Sequence, residues 1–361
     1  MESGNARLQR AARAKADEFY TQLPDIEEEL RHYKEHFRGK KILCNCDDPF
    51  ESNFFKYFAM NFNHLGLAKL TATSYVDSPI AEGQLPLFEV QGLGVKQGDS
   101  RKPYKMEIIE VRDEDSDGAT NLADVEYLLK NQRNALSLLE GDGDFRSQEC
   151  IDLLKEADIV VTNPPFSLFK EYVSQLVEYD KKFIIIGNKN SIGYKDIFAL
   201  IKKGRLWLGY RDINRDMWFI VPDYYGFEKE VDGKRLKHIM GCWLTNLDTT
   251  KRHENLTLYH RYIPEEYPHY VNYDAIEVSV VAEIPYDYFG EMGVPITFLD
   301  KYNPDQFEII GSSGVIAKPM PDFAEEGTYV KGGPSFYLSN GDGTYKRLYK
   351  RIVIKRKGVE K

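Results

Sequence analysis

Between Asp158 and Asn188 the chain reads DIVVTNPPFSLFKEYVSQLVEYDKKFIIIGN. Two short apolar runs, IVV and FIII, flank a segment (167–180) with the apolar spacing of an amphipathic helix. Continuous apolar runs of this length read as strands buried on both faces, which is the habit of parallel strands. A connection that contains a helix is too long for a hairpin and demands a crossover. The stretch therefore commits the chain to an open α/β sheet with helices packed on its faces.

The same alternation appears upstream. KKILCNC (40–46) reads as a strand, ESNFFKYFAMNFNHLG (51–66) as a helix with an aromatic face, and LAKLTATSY (67–75) as a second strand. Before them, IEEELRHYKEHF reads as a helix capped by Asp25, with acids early and bases late as the helix dipole favours. From about 76 to 138 the pattern loosens into an excursion, with a helix expected near LADVEYLLKNQRNALSLL. The alternation resumes with a third strand around EGDGDFRS (140–147) and a helix over QECIDLLKEA (148–157). YKDIFALIKKG (194–204) is expected as a helix and RLWLGY (205–210) as a strand. Beyond about 210 Tyr, Pro, Asn and Asp crowd together, as in RYIPEEYPHYVNYDAIEV (261–278), so a second domain is expected over 211–361 after a first over 1–210.

Composition narrows the class. Over 361 residues, 42% hydrophobic and 29% charged side chains describe a soluble globular protein. No apolar run approaches membrane-spanning length and the polar N-terminus has no signal core, so a cytoplasmic protein with no membrane partner is expected. Cys44, Cys46, Cys150 and Cys242 have no zinc-site spacing and read as buried thiols; no metal is expected. A net charge of −9 argues against a nucleic-acid partner, but the charge is uneven. Arg7, Arg10, Arg13 and Lys15 cluster at the start. Lys346, Arg347, Lys350, Arg351, Lys355, Arg356, Lys357 and Lys361 cluster at the end. Local basic patches, rather than the total, decide contacts with phosphates.

Chemistry in such sheets sits at the carboxyl ends of strands, and three stretches fall there. In Asp47-Asp48-Pro49-Phe50-Glu51-Ser52-Asn53-Phe54 an acid stands ready to accept from a ligand, or simply to cap the next helix. In Asp142-Gly143-Asp144-Phe145 a carboxylate could take an adenine amino group beside an aromatic ring, or the stretch is a tight Asp-Gly turn. In Asn163-Pro164-Pro165-Phe166 the bland reading is a turn closing a strand. The functional one is more specific. An amine on an aromatic base is a poor nucleophile because its lone pair is delocalised into the ring. The Asn163 side-chain oxygen and the Pro164 carbonyl can hold its hydrogens, and prolines fix that carbonyl with no competing N–H. Phe166 offers a face for a flat ring, with stacking of about 1–3 kcal/mol per base. Neither acceptor is a strong base, and none is needed if the electrophile is a sulfonium methyl group.

These residues carry a resemblance to the EcoRI-type adenine-specific DNA methyltransferases, amino-methyltransferases with an NPPF motif. Beyond the quartet, it rests on DEFYTQ (17–22), CNCDDP (44–49), SNFFKYFA (52–59), GDGDFRS (141–147), DIVVTNPPFSLFKEY (158–172), WLTNLD (243–248) and GVPITFL (293–299). The resemblance implies a Rossmann-like methyltransferase sheet with a C-terminal target-recognition region, S-adenosylmethionine as cofactor, and double-stranded DNA as partner. It implies that Tyr20 and Thr21 line the methionine end of the donor, and that Asp48, Pro49 and Ser52, followed by Phe54, form the cofactor loop, with Ser52 where the family carries glycine. Asp144 and Phe145 fall on the adenine-binding pair of the donor pocket, Asn163, Pro164, Pro165 and Phe166 on the catalytic motif, and Phe169 on a pocket wall. Asp77 stands near the place of the ribose-binding acid, two residues late. A monomer that flips adenine out of the duplex is implied, working opposite a cognate restriction endonuclease, with GAATTC as the suggested target. The base-reading side chains are expected among Arg, Lys, Asn and Gln between 205 and 361, while Trp218 and Trp243 read better as core than as partners of a flipped base. The alternatives are transfer to cytosine N4, to RNA or to a protein amide, or a DNA-binding relative without activity. Asn rather than Ser before the prolines leans away from cytosine.

Overall fold

In a computed structural model of the chain, the structure describes residues 19–46, 48–49, 52–74, 103–112, 120–121, 124, 127, 136–221 and 225–358. The early strands are β1 (Tyr20–Thr21), β2 (Lys41–Cys44), β3 (Lys69–Thr73), β4 (Tyr104–Ile108), β5 (Leu136–Leu138), β6 (Ile159–Thr162) and β7 (Lys182–Asn188). β2 lies between β3 and β6 and runs parallel to both, and β7 lies parallel to β6. The order β5-β4-β3-β2-β6-β7 continues into Gly241–Thr245, which pairs antiparallel with β7. β4 and β5 are also antiparallel to their neighbours, so the large sheet is mixed and the fold is mixed α/β. β6 is buried along its whole length, as a strand covered on both faces must be.

Three local expectations change. The stretch 141–147 is a turn rather than a strand: Gly143 takes φ +75°, Asp142 accepts from the Asp144 N–H, and Asp144 accepts from the Arg146 N–H. Successive aspartates that bond their own backbone two residues on compete with any ladder. Leu136–Leu138, read as the end of a helix, instead pairs with β4, because cross-strand hydrogen bonding overrides the helix propensity of leucine. Asp25 sits in the first turn of the helix Leu23–Leu30, beside Pro24, and Gln22 holds the cap position. Ser52 and Ser147 do cap, accepting from the N–H groups of Phe55 and Cys150.

The chain forms two units that interleave in sequence. One comprises 1–189 and 215–247, the other 190–214 and 248–361. The division expected at 210 is thus replaced by several chain crossings. In the first unit, the aromatic face of the helix Asn53–Met60 enters a core with Phe37, Phe219 and Trp243. Each such burial contributes roughly 1.5–3 kcal/mol. In the second unit, Glu291–Pro295 and Phe307–Ser312 flank Arg351–Arg356 antiparallel, and Ile276–Glu277 pairs parallel with the first of these. The buried Glu277 carboxylate there accepts from the Arg351 guanidinium at 2.7 Å and from the Tyr270 hydroxyl. Among the described residues no helix is long and apolar enough to cross a membrane.

Candidate functional site

From β2 the chain crosses to β3 on one side, while β6 and β7 lie on the other. The order reverses between β2 and β6, and in open α/β sheets such a reversal opens a crevice outside the strand ends. Asn45 and Cys46 leave β2 at that edge, Asp48 and Pro49 follow, and Asn163 to Phe166 leave β6 beside them.

The β2 side turns sharply. Cys46 takes φ +71°, a left-handed conformation that side chains rarely adopt, just before the loop to Asp48. Asn45 is buried; its carbonyl accepts from the Thr162 hydroxyl of β6 and its side-chain oxygen accepts from the Tyr172 hydroxyl. The two strand ends are therefore tied together through side chains where the ladder stops. Asp48 is 5% exposed, and the Tyr104 hydroxyl lies 2.8 Å from both carboxylate oxygens. Its carbonyl accepts from the Ser52 N–H at 2.6 Å. Ser52 has φ −61° and ψ 118°, extended backbone that needs no glycine, so this loop closes without one. Pro49 is buried beside Asp48.

The β6 side carries the quartet. Asn163 is 7% exposed and its amide nitrogen donates to the Phe19 carbonyl at 2.5 Å. A carbonyl can only accept, so the nitrogen must face Phe19, and the amide oxygen is directed elsewhere. Pro164 is buried, Pro165 and Phe166 are half-buried, and the Pro165 carbonyl accepts from the Leu168 N–H at 3.0 Å. The Phe166 ring packs 5.9 Å from that of Phe19, at 58°.

Phe19 belongs to the segment of Tyr20 and Thr21, which is held from the other side. β1 pairs antiparallel with Met217–Ile220, in the register Tyr20↔Ile220 and Thr21↔Phe219. The Thr21 carbonyl accepts from the Asn53 amide at 2.7 Å. The Thr21 hydroxyl is buried with no hydrogen-bond partner among the described residues. Leaving such a group unsatisfied costs about 1–3 kcal/mol, and a polar ligand group beside β1 would relieve it. The Thr21 hydroxyl and the Asp48 carboxylate thus offer polar groups, and Phe166 a planar face, to a ligand with both polar and planar parts.

Asp144 and Phe145, expected as an adenine-binding pair, both have partners within the chain. Both Asp144 carboxylate oxygens accept from the Arg146 guanidinium, at 2.8 and 2.6 Å, and Arg146 also donates to Glu171 at 2.9 Å. The bonded Asp144 carboxylate holds the Arg146 pKa above its usual range. Phe145 is buried, edge-on to Tyr172 at 5.1 Å, and its carbonyl accepts from Gln175. Through Tyr172 it reaches Asn45 and hence the crevice edge. A cavity of about 400 Å³ opens beside Phe145 and Arg146, lined also by Lys170, Glu171 and Gln175; none of the quartet lines it. Phe169 is 1% exposed, and its ring fills the space over Gly187 of β7, where a Cβ would stand 2.6 Å from the ring. It is a core residue that requires that glycine.

Trp243 is core, edge-on to Phe54 at 5.8 Å, and Trp218 is half-buried with the Lys229 ammonium 3.6 Å from its ring centroid. Asp77, Asp47, Phe50, Glu51, most of the excursion at 76–138 and the N-terminal basic cluster lie outside the described residues. Phe19, Asn45, Tyr104 and Tyr172 escaped the sequence reading. A polar residue between two cysteines at a strand end could have pointed to Asn45. Tyr104 sits on an antiparallel strand inside the excursion, and no spacing rule reaches it.

Comparison with known proteins covers nearly the whole chain. The family model described as Adenine-specific methyltransferase EcoRI matches residues 7–357. The chain is 48% identical over 320 residues to Type II methyltransferase M.EcoRI of Escherichia coli, covering 85% of this chain and 89% of that protein. It is 37% identical over 361 residues to Type II methyltransferase M.MpnI of Mycoplasma pneumoniae, covering 96% and 97%. It is 34% identical over 367 residues to Type II methyltransferase M.MgeORF184P of Mycoplasma genitalium, covering 97% and 98%. No solved structure matches.

Proposed function

Because the chain belongs to the EcoRI family of adenine-specific methyltransferases, we propose that the crevice between β2 and β6 is where S-adenosylmethionine meets an adenine turned out of duplex DNA. The chain is an adenine-specific DNA methyltransferase of a restriction–modification system. Our reading assigns that activity to particular residues on a Rossmann-like sheet. The observation that carries it is the bond from Asn163 to Phe19, which joins the catalytic quartet to the donor segment.

Tyr20 and Thr21 hold the methionine end of the donor, with the Thr21 hydroxyl gaining the partner it lacks. Asp48, with Pro49 and Ser52, presents a carboxylate fixed by Tyr104 to the donor's polar groups. Phe145 walls the adenine end. Asp144, already committed to Arg146, orders that turn and retains only its remaining acceptor capacity for a ligand amine. When bound, S-adenosylmethionine supplies a methyl carbon made electrophilic by its sulfonium.

The chain's own work is positioning. Turning adenine out of the stack costs a few kcal/mol, and Phe166 replaces part of the lost stacking. Asn163 Oδ1 and the Pro164 carbonyl accept the two amino hydrogens, which draws the nitrogen lone pair out of conjugation and toward the methyl group. Orientation of this kind, with acceptors fixed in advance, carries most of the rate. The amide nitrogen of Asn163 stays on Phe19 throughout, so its oxygen cannot swing away.

The second unit and the segment 211–247 are the places for target recognition, and a cognate endonuclease would read the same sequence. The test is transfer of labelled methyl to duplex DNA by the wild type and Asn163→Ala, with donor affinity measured in parallel. Loss of transfer with donor affinity kept supports the assignment. Equal turnover removes it.

A further inference from the structure

Resting on that reading, we propose that Lys237 is a positioning residue for DNA: its ammonium takes a backbone phosphate of the nucleotide turned into the crevice. Lys237 lies on Lys234–Ile239, which forms a hairpin with Lys229–Val231 and pairs on its other side with Met217–Ile220. The hairpin turns through Asp232 and Gly233, both at positive φ (50° and 73°). The two-residue connection fixes the register and so the place of Lys237, opposite Phe219.

What distinguishes Lys237 is its support. Its ammonium stands 4.7 Å from the centroid of the Tyr225 ring. Tyr225 is edge-on to Phe19 at 5.3 Å, and Phe19 packs on Phe166 at 5.9 Å. A line of three aromatic rings therefore runs from the catalytic quartet to one cation. Among the described residues no carboxylate pairs with Lys237. A salt bridge would hold a lysine but neutralise it; an aromatic face holds it and leaves the charge for a partner. A base leaving the helix carries its flanking phosphates with it, and a cation at the rim of an aromatic pocket meets the charge that arrives.

The test uses the full chain and a duplex carrying the target adenine, with Lys237→Gln, Lys237→Arg and, as a control, Lys155→Gln, whose lysine is already paired with Asp152. DNA affinity is followed against salt. Lys237→Gln should lower the slope of log K against log salt by about one on the target duplex and change it little on a non-target duplex, where no nucleotide is turned out. It should raise KM for DNA more than it lowers kcat and leave donor affinity alone, while Lys237→Arg and Lys155→Gln keep the wild-type slope. Replacing the phosphates flanking the target adenine by neutral methylphosphonates should weaken wild-type binding and leave Lys237→Gln unaffected. A slope unchanged in Lys237→Gln, or equal sensitivity of both proteins to the neutral linkages, overturns the inference while wild-type methylation stands. A wild type that transfers no methyl to DNA overturns the proposed function and this inference together.

Discussion

Asn163 donates its side-chain amide to the carbonyl oxygen of Phe19, across 144 positions of chain. The bond ties the loop after β6 to the segment entering β1, and it turns the amide oxygen of Asn163 away from Phe19. Asn163→Ala should lower methyl transfer by roughly 10²–10³, the usual effect of deleting one preorganised polar group at a reacting centre. Donor binding should change little. Asn163→Asp should fail as well, because a carboxylate facing the Phe19 carbonyl sets two acceptors against each other. Single-turnover transfer and a donor-binding titration on the same preparations check both variants.

The Tyr104 hydroxyl on the buried Asp48 carboxylate is a second long-range tie. Tyr104→Phe keeps the ring and removes the donor. A hydrogen bond to a charged group is worth about 1.5–3 kcal/mol, so denaturant unfolding should show a loss of that order. Donor affinity should fall with it if Asp48 lines the donor site. A variant as stable as the wild type would contradict the tie.

Gly187→Ala should destabilise the protein by about 1–3 kcal/mol, since the new methyl group would stand 2.6 Å from the Phe169 ring in a filled core. Adding Phe169→Leu should recover part of the loss. The pair is checked by a double-mutant cycle in unfolding free energy, where additive effects would refute the contact.

Burial pushes the Asp300 carboxyl up to about 7 from 3.8, against the opposing pull of Lys251. In the folded state it keeps its proton between about pH 4 and 7, where the unfolded chain has lost it. Stability from this group therefore falls as pH rises through that window, by about 1.4 kcal/mol per unit of separation between the two values. Asp300→Asn should flatten the dependence and leave the protein more stable than the wild type at pH 8, with the Ile213 N–H still accepted. Melting curves from pH 4 to 8 test this; parallel curves for the two proteins would contradict it.

The parallel heart of the sheet was legible because β2, β3, β6 and β7 are apolar runs separated by helical spacings, and such strands have little alternative use. Asn163 to Phe166 could be read because two prolines have no business ending a ladder unless their geometry is wanted. What stayed hidden depends on pairing rather than pattern. The antiparallel strands β4 and β5 take their place from partners remote in sequence. The return of Gly241–Thr245 to the sheet edge is set by its match to β7 and not by any local signal. Asp144 illustrates the limit of single residues: the motif singled it out as an acceptor for a ligand, and only the structure reveals that Arg146 already occupies both its oxygens. Phe169 was read as a wall because it follows the quartet, whereas the absent side chain of Gly187 draws it into the core.

The central claim is that the crevice between β2 and β6 transfers a methyl group to adenine through Asn163. The most direct measurement incubates duplex DNA and isotopically labelled S-adenosylmethionine with the wild type and with Asn163→Ala, digests the DNA, and separates the nucleosides by mass. The account predicts label in N6-methyl-2′-deoxyadenosine with the wild type and roughly 10²–10³ less of it in the same time with Asn163→Ala. Label in a methylated cytosine, or full labelling of adenine by Asn163→Ala, would contradict it.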